Sequence, residues 1–194
     1  MPIPEGYTRV TEILSIFQAY SFVKKDVLKR CQDIGTDVHE AIECFFRYGF
    51  KPLDAKKSLY FDSFLKWVDK CQKIEPVMLE TRLYDHKAKI TGKLDLLCDM
   101  DGLRVLVDFK TGSWAHPEIW RLQACFYRAF IEDEWLENDG PEMPNHFLFV
   151  QLQKDGSDPI LYPMEYNPKA WEVCKAALHC YKYFKNPTHA NGEC

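Results

Sequence analysis

An α/β sandwich, a mixed β-sheet with helices packed on it, is the fold class that the sequence predicts, and three observations lead there. Apolar residues recur at helical spacing over residues 34–48 and 56–73. From Val77 onward they alternate, as in a strand with two different faces. An Asp-Gly pair, Asp101-Gly102, then separates two runs rich in Leu and Val, a strong short-range signal for a hairpin. The element order is helices, a three-strand meander, a helix, two strands and a helix.

Residues 8–31 read as helical, in two pieces, and a stronger helix follows at 34–48 with Val38, Ala41, Ile42, Phe45 and Phe46 on one face. Lys51-Pro52-Leu53-Asp54 reads as a loop before the helix of 56–73, which is built on Leu59, Tyr60, Phe64, Trp67 and Val68. In the strand VMLETRLY, Val77, Leu79, Thr81 and Leu83 share one face, and Met78, Glu80, Arg82 and Tyr84 the other. The loop Asp85-His86-Lys87-Ala88 leads into the hairpin. Pro117 suits the first position of a helix running to about Trp135. Strands near 146–153 and 159–165 are joined by Lys154-Asp155-Gly156-Ser157, and Asn167-Pro168 starts a last helix that ends before Asn186-Pro187. Residues 1–187 are expected to form one domain and 188–194 a disordered tail.

Composition excludes several classes. With 46% hydrophobic and 28% charged residues, the chain is of ordinary globular type, and no apolar run approaches a membrane span. MPIPEGYTRV has neither a basic start with an apolar stretch nor an Arg-rich leader, so a soluble, cytoplasmic protein is expected. The eight cysteines include no Cys-x-x-Cys pair, which fits buried free thiols in a reducing compartment. Cys174, His179, Cys180, His189 and Cys194 make only a weak zinc set against a helix with core thiols. A net charge of −4 gives no general basic signature of nucleic-acid binding. The local clusters at Lys24, Lys25, Lys29 and Arg30 and between Lys56 and Lys73 read first as solvated helix faces.

The hairpin ITGKLDLLCDMDGLRVLVDFKTG carries the chemistry. With Asp101-Gly102 as a type I′ turn, Met100 pairs with Leu103, Asp99 with Arg104 and Cys98 with Val105. Continued, the ladder sets Asp95 opposite Asp108 and Lys93 opposite Lys110, all on one face, and a loop closed at Tyr84–Lys89 sets Glu80 opposite Lys93. Opposed carboxylates repel. They make sense with a divalent cation between them, and a lysine beside them can align a water or steady negative charge. The alternative is a partly exposed sheet face with ordinary charges.

Gly92-x-x-Asp95, thirteen residues before Asp108-Phe109-Lys110-Thr111-Gly112, resembles the core of the PD-(D/E)XK nucleases, and more narrowly their RecB-like and phage-exonuclease branch. Three further elements stand in family order. Gly35-Thr36-Asp37-Val38-His39-Glu40 resembles the upstream helix with a metal-binding histidine, Glu80 the glutamate of the preceding strand, and Gln123-x-x-x-Tyr127 the helix after the active site. The resemblance implies a restriction-endonuclease-like fold, with a central mixed β-sheet flanked by α-helices. It implies His39, Asp95, Asp108 and the Phe109 carbonyl as ligands of Mg²⁺ or Mn²⁺, and Asp95, Asp108 and Lys110 as catalytic residues. Glu80, Gln123 and Tyr127 would support the site or hold DNA, while Trp114 and Trp120 would either stack on bases or pack.

One departure is clear: Cys174, Cys180 and Cys194 lack the spacing of the branch's iron–sulfur cysteines, so no cluster is expected. Nor is there a Gly-rich phosphate loop for an ATPase motor. The expected activity is a metal-dependent DNA exonuclease acting on single-stranded or duplex ends, in recombination, repair or phage DNA processing, within a bacterial or phage-infected cell. A recombinase or single-strand-binding protein is the expected kind of partner. A flap or junction endonuclease and a catalytically silent nucleic-acid-binding member are the alternatives.

Overall fold

The computed structural model describes residues 3–17, 24–50, 55–136 and 142–185. The expected loop at 51–54, the tail at 188–194, and with it His189 and Cys194, lie outside the described residues. Elements in chain order are β1 (Thr8–Arg9), α1 (Val10–Leu14), α2 (Lys25–Tyr48), α3 (Ala55–Val68), β2 (Ile74–Asp85), β3 (Ile90–Met100), β4 (Leu103–Lys110), α4 (Pro117–Leu136), β5 (His146–Gln151), β6 (Ile160–Glu165) and α5 (Pro168–Lys185).

The sheet is mixed and flanked by helices on both faces, as the sequence predicts. On one face Val38 and Ile42 of α2 and Phe61, Phe64 and Trp67 of α3 pack on Leu96, Val105, Val107, Phe109 and Val150. On the other, α1, α4 and α5 supply Ile13, Leu122, Phe126, Phe130 and Cys174 against Leu97, Leu106, Phe147 and Phe149. Alternate residues of β4 and β5 therefore enter opposite cores, and these central strands read as nearly continuous apolar runs.

Three helical expectations are corrected. Residues 8–31 hold a two-residue strand and a five-residue helix before α2, and the stronger helix begins at Lys25 rather than at 34. Gly35 inside α2 does not end it. A Cβ there would stand 3.4 Å from Thr111 Oγ1, an ordinary contact with the loop after β4. α3 stops at Val68, short of residue 73, and Asp101 Oδ1 accepts hydrogen bonds from the Gln72 and Lys73 N–H groups at 3.1 and 3.2 Å.

The hairpin turn is as expected. Asp101 and Gly102 both take left-handed backbone (φ 51° and 85°), and the ladder runs from Met100↔Leu103 to Leu96↔Val107. It ends there, one step before Asp95 and Asp108 would pair. The reason lies in the edges of β3. One edge pairs with β2 along its length, while the other is shared by β1 at Ile90 and Thr91 and by β4 from Leu96 to Met100. Between them Gly92–Asp95 faces no strand among the described residues, and β4 keeps its parallel pairing with β5 on its other edge, from Val105↔His146 to Lys110↔Gln151.

The β2–β3 register also differs. The closing pair is Asp85↔Ile90, so Lys93 lies opposite Arg82, and Glu80 falls at the level of Asp95, between Leu79↔Leu96 and Thr81↔Leu94. The expected loop at Asp85 is thus one residue too early. Glu80 has φ 50°, a backbone state that non-glycine residues seldom adopt. At this level both strands change face. Leu83 and Leu94 enter the core of α4, but Leu79 and Leu96 enter that of α2 and α3.

Candidate active site

The fork between β3 and β4 is floored by the two aspartates, each held differently. Asp95, at the end of the unpaired edge, accepts the Phe109 N–H on Oδ2 at 2.8 Å, so its carboxylate continues the sheet where the ladder stops. Its Oδ1 stands 3.2 Å from His39 Nδ1, brought in by α2. Asp108 lies across the fork. Its Oδ1 accepts Gln123 Nε2 of α4 at 2.8 Å, and Lys110 Nζ stands 2.6 Å from its Oδ2. The expectation that the two carboxylates meet as a cross-strand pair is corrected: the strands splay first, and the side chains are held from opposite sheet faces.

His39 is bracketed by oxygen. Nδ1 faces Asp95 and, at 3.3 Å, Glu80 Oε1, while Nε2 lies 3.1 Å from the Phe109 carbonyl. A carbonyl and an ionised carboxylate only accept, so without a metal ion these contacts favour the doubly protonated, charged imidazole. Burial opposes that charge, but Asp95 and Glu80 outweigh it and hold the His39 pKa well above its usual range. Burial also works against ionised Asp95, yet His39, Lys110 and the Phe109 N–H keep its pKa below normal. Asp108 is pushed up to about 6, by burial first and then by the charge of Asp95.

Gln123 joins the halves of the site. Besides Asp108, its Nε2 donates to Tyr127 OH at 3.0 Å, and its Oε1 accepts Lys110 Nζ at 3.0 Å. The four-residue spacing on α4 puts Gln123 and Tyr127 on one helix face. Lys110 also lies over the rings of Trp120 and Phe149, at 5.8 and 5.6 Å from their centroids. Trp120 is buried on Phe149 and Tyr162, so packing is its role, whereas Trp114 is 63% exposed.

All eight sequence-derived residues meet in this region. His39, Asp95, Asp108, Lys110, Gln123 and Tyr127 line a cleft of about 370 Å³, the Phe109 carbonyl faces His39, and Glu80 stands behind His39, bonded to Lys93. The cleft has further walls that sequence reasoning missed as site residues: Arg9 and Thr11 from β1 and α1, Arg82, and Lys93. Lys93 and Arg82 were legible as strand residues. Arg9 was not, because a two-residue strand leaves no periodic signal. Among the described residues Cys174 is buried against the Leu122 carbonyl and Cys180 is exposed, so these two do not converge on a zinc site.

The donor set fits a hard divalent cation. His39, Glu80 and Asp95 offer ligand atoms within 4.8 Å of one another. Asp108 is buried across the fork, with Lys110 as the cation at its Oδ2. Carboxylate oxygens with one imidazole suit Mg²⁺ or Mn²⁺ better than a thiolate-seeking metal.

No curated protein matches the sequence. Among solved structures, the chain is similar to SSO0001 at 13% identity and a TM-score of 0.46, over 96% of this chain and 80% of that one. It is also similar to an alkaline exonuclease (LHK-Exo) from Laribacter hongkongensis, at 12% identity and 0.41, over 92% and 87%. A phage-related exonuclease from Haemophilus somnus 129PT gives 11% and 0.37, over 92% of each chain. At these scores the likenesses carry no argument. The family model does: that of the PD-(D/E)XK nuclease superfamily, whose nucleases use divalent metal ions and act on nucleic acid, matches residues 53–186. With the forked hairpin and its flanking helices already in place, this match shows that the chain belongs to the PD-(D/E)XK nuclease superfamily.

Proposed function

We propose that the protein is a Mg²⁺- or Mn²⁺-dependent deoxyribonuclease that works as an exonuclease on single-stranded or duplex DNA ends. The observation that carries this reading is the buried Asp108 carboxylate, paired with Lys110 at the floor of an open cleft, with Asp95 and His39 across the fork. Asp95, Asp108, His39 and the Phe109 carbonyl would hold the ion, with Glu80 in reach beside His39. When bound, the ion polarises the phosphate and lowers the pKa of water.

The chain's own groups do the rest. Lys110, held by Gln123 and by two aromatic rings, keeps its ammonium at the Asp108 carboxylate, where it aligns a water or steadies charge on a phosphoryl oxygen. Gln123 spends both ends of its amide on Asp108 and Lys110 and so fixes their spacing. His39 must give up a proton before a ring nitrogen can bind metal, and Glu80 and Asp95 stand ready to orient it. By its resemblance to the RecB-like and phage-exonuclease branch, we infer a role in recombination, repair or phage DNA processing, in the cytoplasm, with a recombinase or single-strand-binding protein as the expected partner.

The test is a digestion series on end-labelled single- and double-stranded DNA with Mg²⁺, Mn²⁺ or EDTA. Metal-dependent shortening from one end supports the reading, and a closed circular single strand should survive. Cleavage of the circle would mean an endonuclease. Cleavage in EDTA, or undiminished cleavage by Asp108→Ala, would sink the site assignment.

A further inference from the structure

Beside the carboxylates the cleft holds cations that the hydrolytic site does not use. Arg82 of β2 and Lys93 of β3 are direct cross-strand partners, and both line the cleft. Like charges directly opposite each other destabilise a sheet. Lys93 pairs with the buried carboxylate of Glu80, so the cation that folding does not account for is Arg82. No ion pair joins Arg82 to a carboxylate among the described residues. Arg9 lines the same cleft from β1, its own acid, Glu12, being 3.8 Å away on an open surface.

Position sharpens the point. Lys93 precedes Asp95 by two residues on the edge of β3 that no strand covers. Two residues of strand span roughly 7 Å, on the order of one nucleotide step. Gly92, just before Lys93, lets the ring of Tyr127 pack where a Cβ would be. The cations thus flank the carboxylate floor along the direction in which a strand would run.

We propose that Arg82 and Lys93, with Arg9 at the rim, form a seat for a phosphate group one nucleotide step from the bond to be cut. The proposal rests on the nuclease reading above. The phosphate is either an internal diester or a terminal monoester. Guanidinium and ammonium donors recognise both through non-bridging oxygens, and the arms of the test separate them.

The test measures binding, not cleavage. In the Asp108→Asn background, short single-stranded oligonucleotides with 5′-phosphate, 3′-phosphate or only hydroxyl ends are titrated over a range of salt, with and without Arg82→Gln. Arg82→Gln should weaken binding several-fold and reduce the slope of log affinity against log salt by about 0.7 for one lost contact. Arg82→Lys should restore most of both. A loss common to all three oligonucleotides assigns an internal phosphate, and a loss confined to one end chemistry assigns that terminus. Because the change removes a repulsion, the melting temperature of Arg82→Gln should match or exceed its parent's. A lower melting temperature would mark Arg82 as structural and overturn the proposal, as would unchanged affinity and slope with all three. The nuclease reading fails separately, if the wild type cleaves nothing with Mg²⁺ or Mn²⁺.

Discussion

Gly92→Ala isolates the packing that carries the site. A Cβ at residue 92 would lie 2.2 Å from Tyr127 Cε1 and 2.9 Å from Cδ1. To regain ordinary contact the ring edge must retreat by roughly 1.2 Å, far more than a packed core yields without strain. Tyr127 is 3% exposed, lies beside Phe130, and holds the Gln123 amide through its hydroxyl. Overpacking costs about 1–3 kcal/mol, and a displaced hydrogen bond adds about 1 kcal/mol. Together they amount to about 2–4 kcal/mol, or roughly 5–15 °C in melting temperature for a chain of this length. Cleavage should fall further than stability, because Gln123 spans Asp108 and Lys110 and moves with the ring. Thermal melts and digestion of end-labelled DNA, both below the mutant's melting range, measure the two effects. Tyr127→Leu clears the space, so Gly92→Ala should cost much less in that background. Equal costs in both backgrounds, or a Gly92→Ala protein with wild-type stability and activity, would refute this account of the edge.

Asp108→Ala should abolish cleavage and most of the metal-induced rise in melting temperature. Lys110→Ala should lose most cleavage but keep that rise, since an ammonium is not a ligand; digestion and thermal melts with and without Mg²⁺ separate them. The rise itself should grow with metal concentration, and Asp95→Asn should cancel most of it. Without metal, stability should increase as pH falls through the raised pKa of His39 and then through that of Asp108 at about 6. His39, raised in the fold, stabilises below its unfolded pKa and loses this as pH rises through its folded one. Asp108, raised to about 6, binds its proton more readily folded than unfolded, which works in the same direction. Asp95, lowered in the fold, reverses the trend only in more acid solution. Denaturation with EDTA across this range checks the sign, and with saturating Mg²⁺ the slope should flatten or invert because protons compete for the same oxygens.

Much of this was legible in the sequence because it is local. A type I′ turn at Asp101-Gly102 sets a register that each following pair inherits, so Leu96↔Val107 follows from the turn alone. Helical spacing put Gln123 and Tyr127 together for the same reason, and motif order added His39 and Glu80. Errors arose where local rules stop. Glu80 shifts by two positions because the β2–β3 loop closes one residue later than its composition suggests.

Alone, then, the sequence determined which residues carry charge in the hairpin, which elements bear them and what chemistry they suit, since turn type, periodicity and residue type are properties of neighbours along the chain. The tertiary structure decided how those charges meet. Asp95 and Asp108 continue no ladder: β4 leaves β3 after Val107 while staying paired with β5 on its other edge as far as Lys110, and a two-residue β1 takes the far end of β3's edge. That gap lets His39 and Gln123 enter from opposite faces, and the β2–β3 register sets Arg82 opposite Lys93 on the cleft wall. Contacts between strands remote in sequence depend on the competition for one edge, and no short stretch of chain encodes which strand takes it.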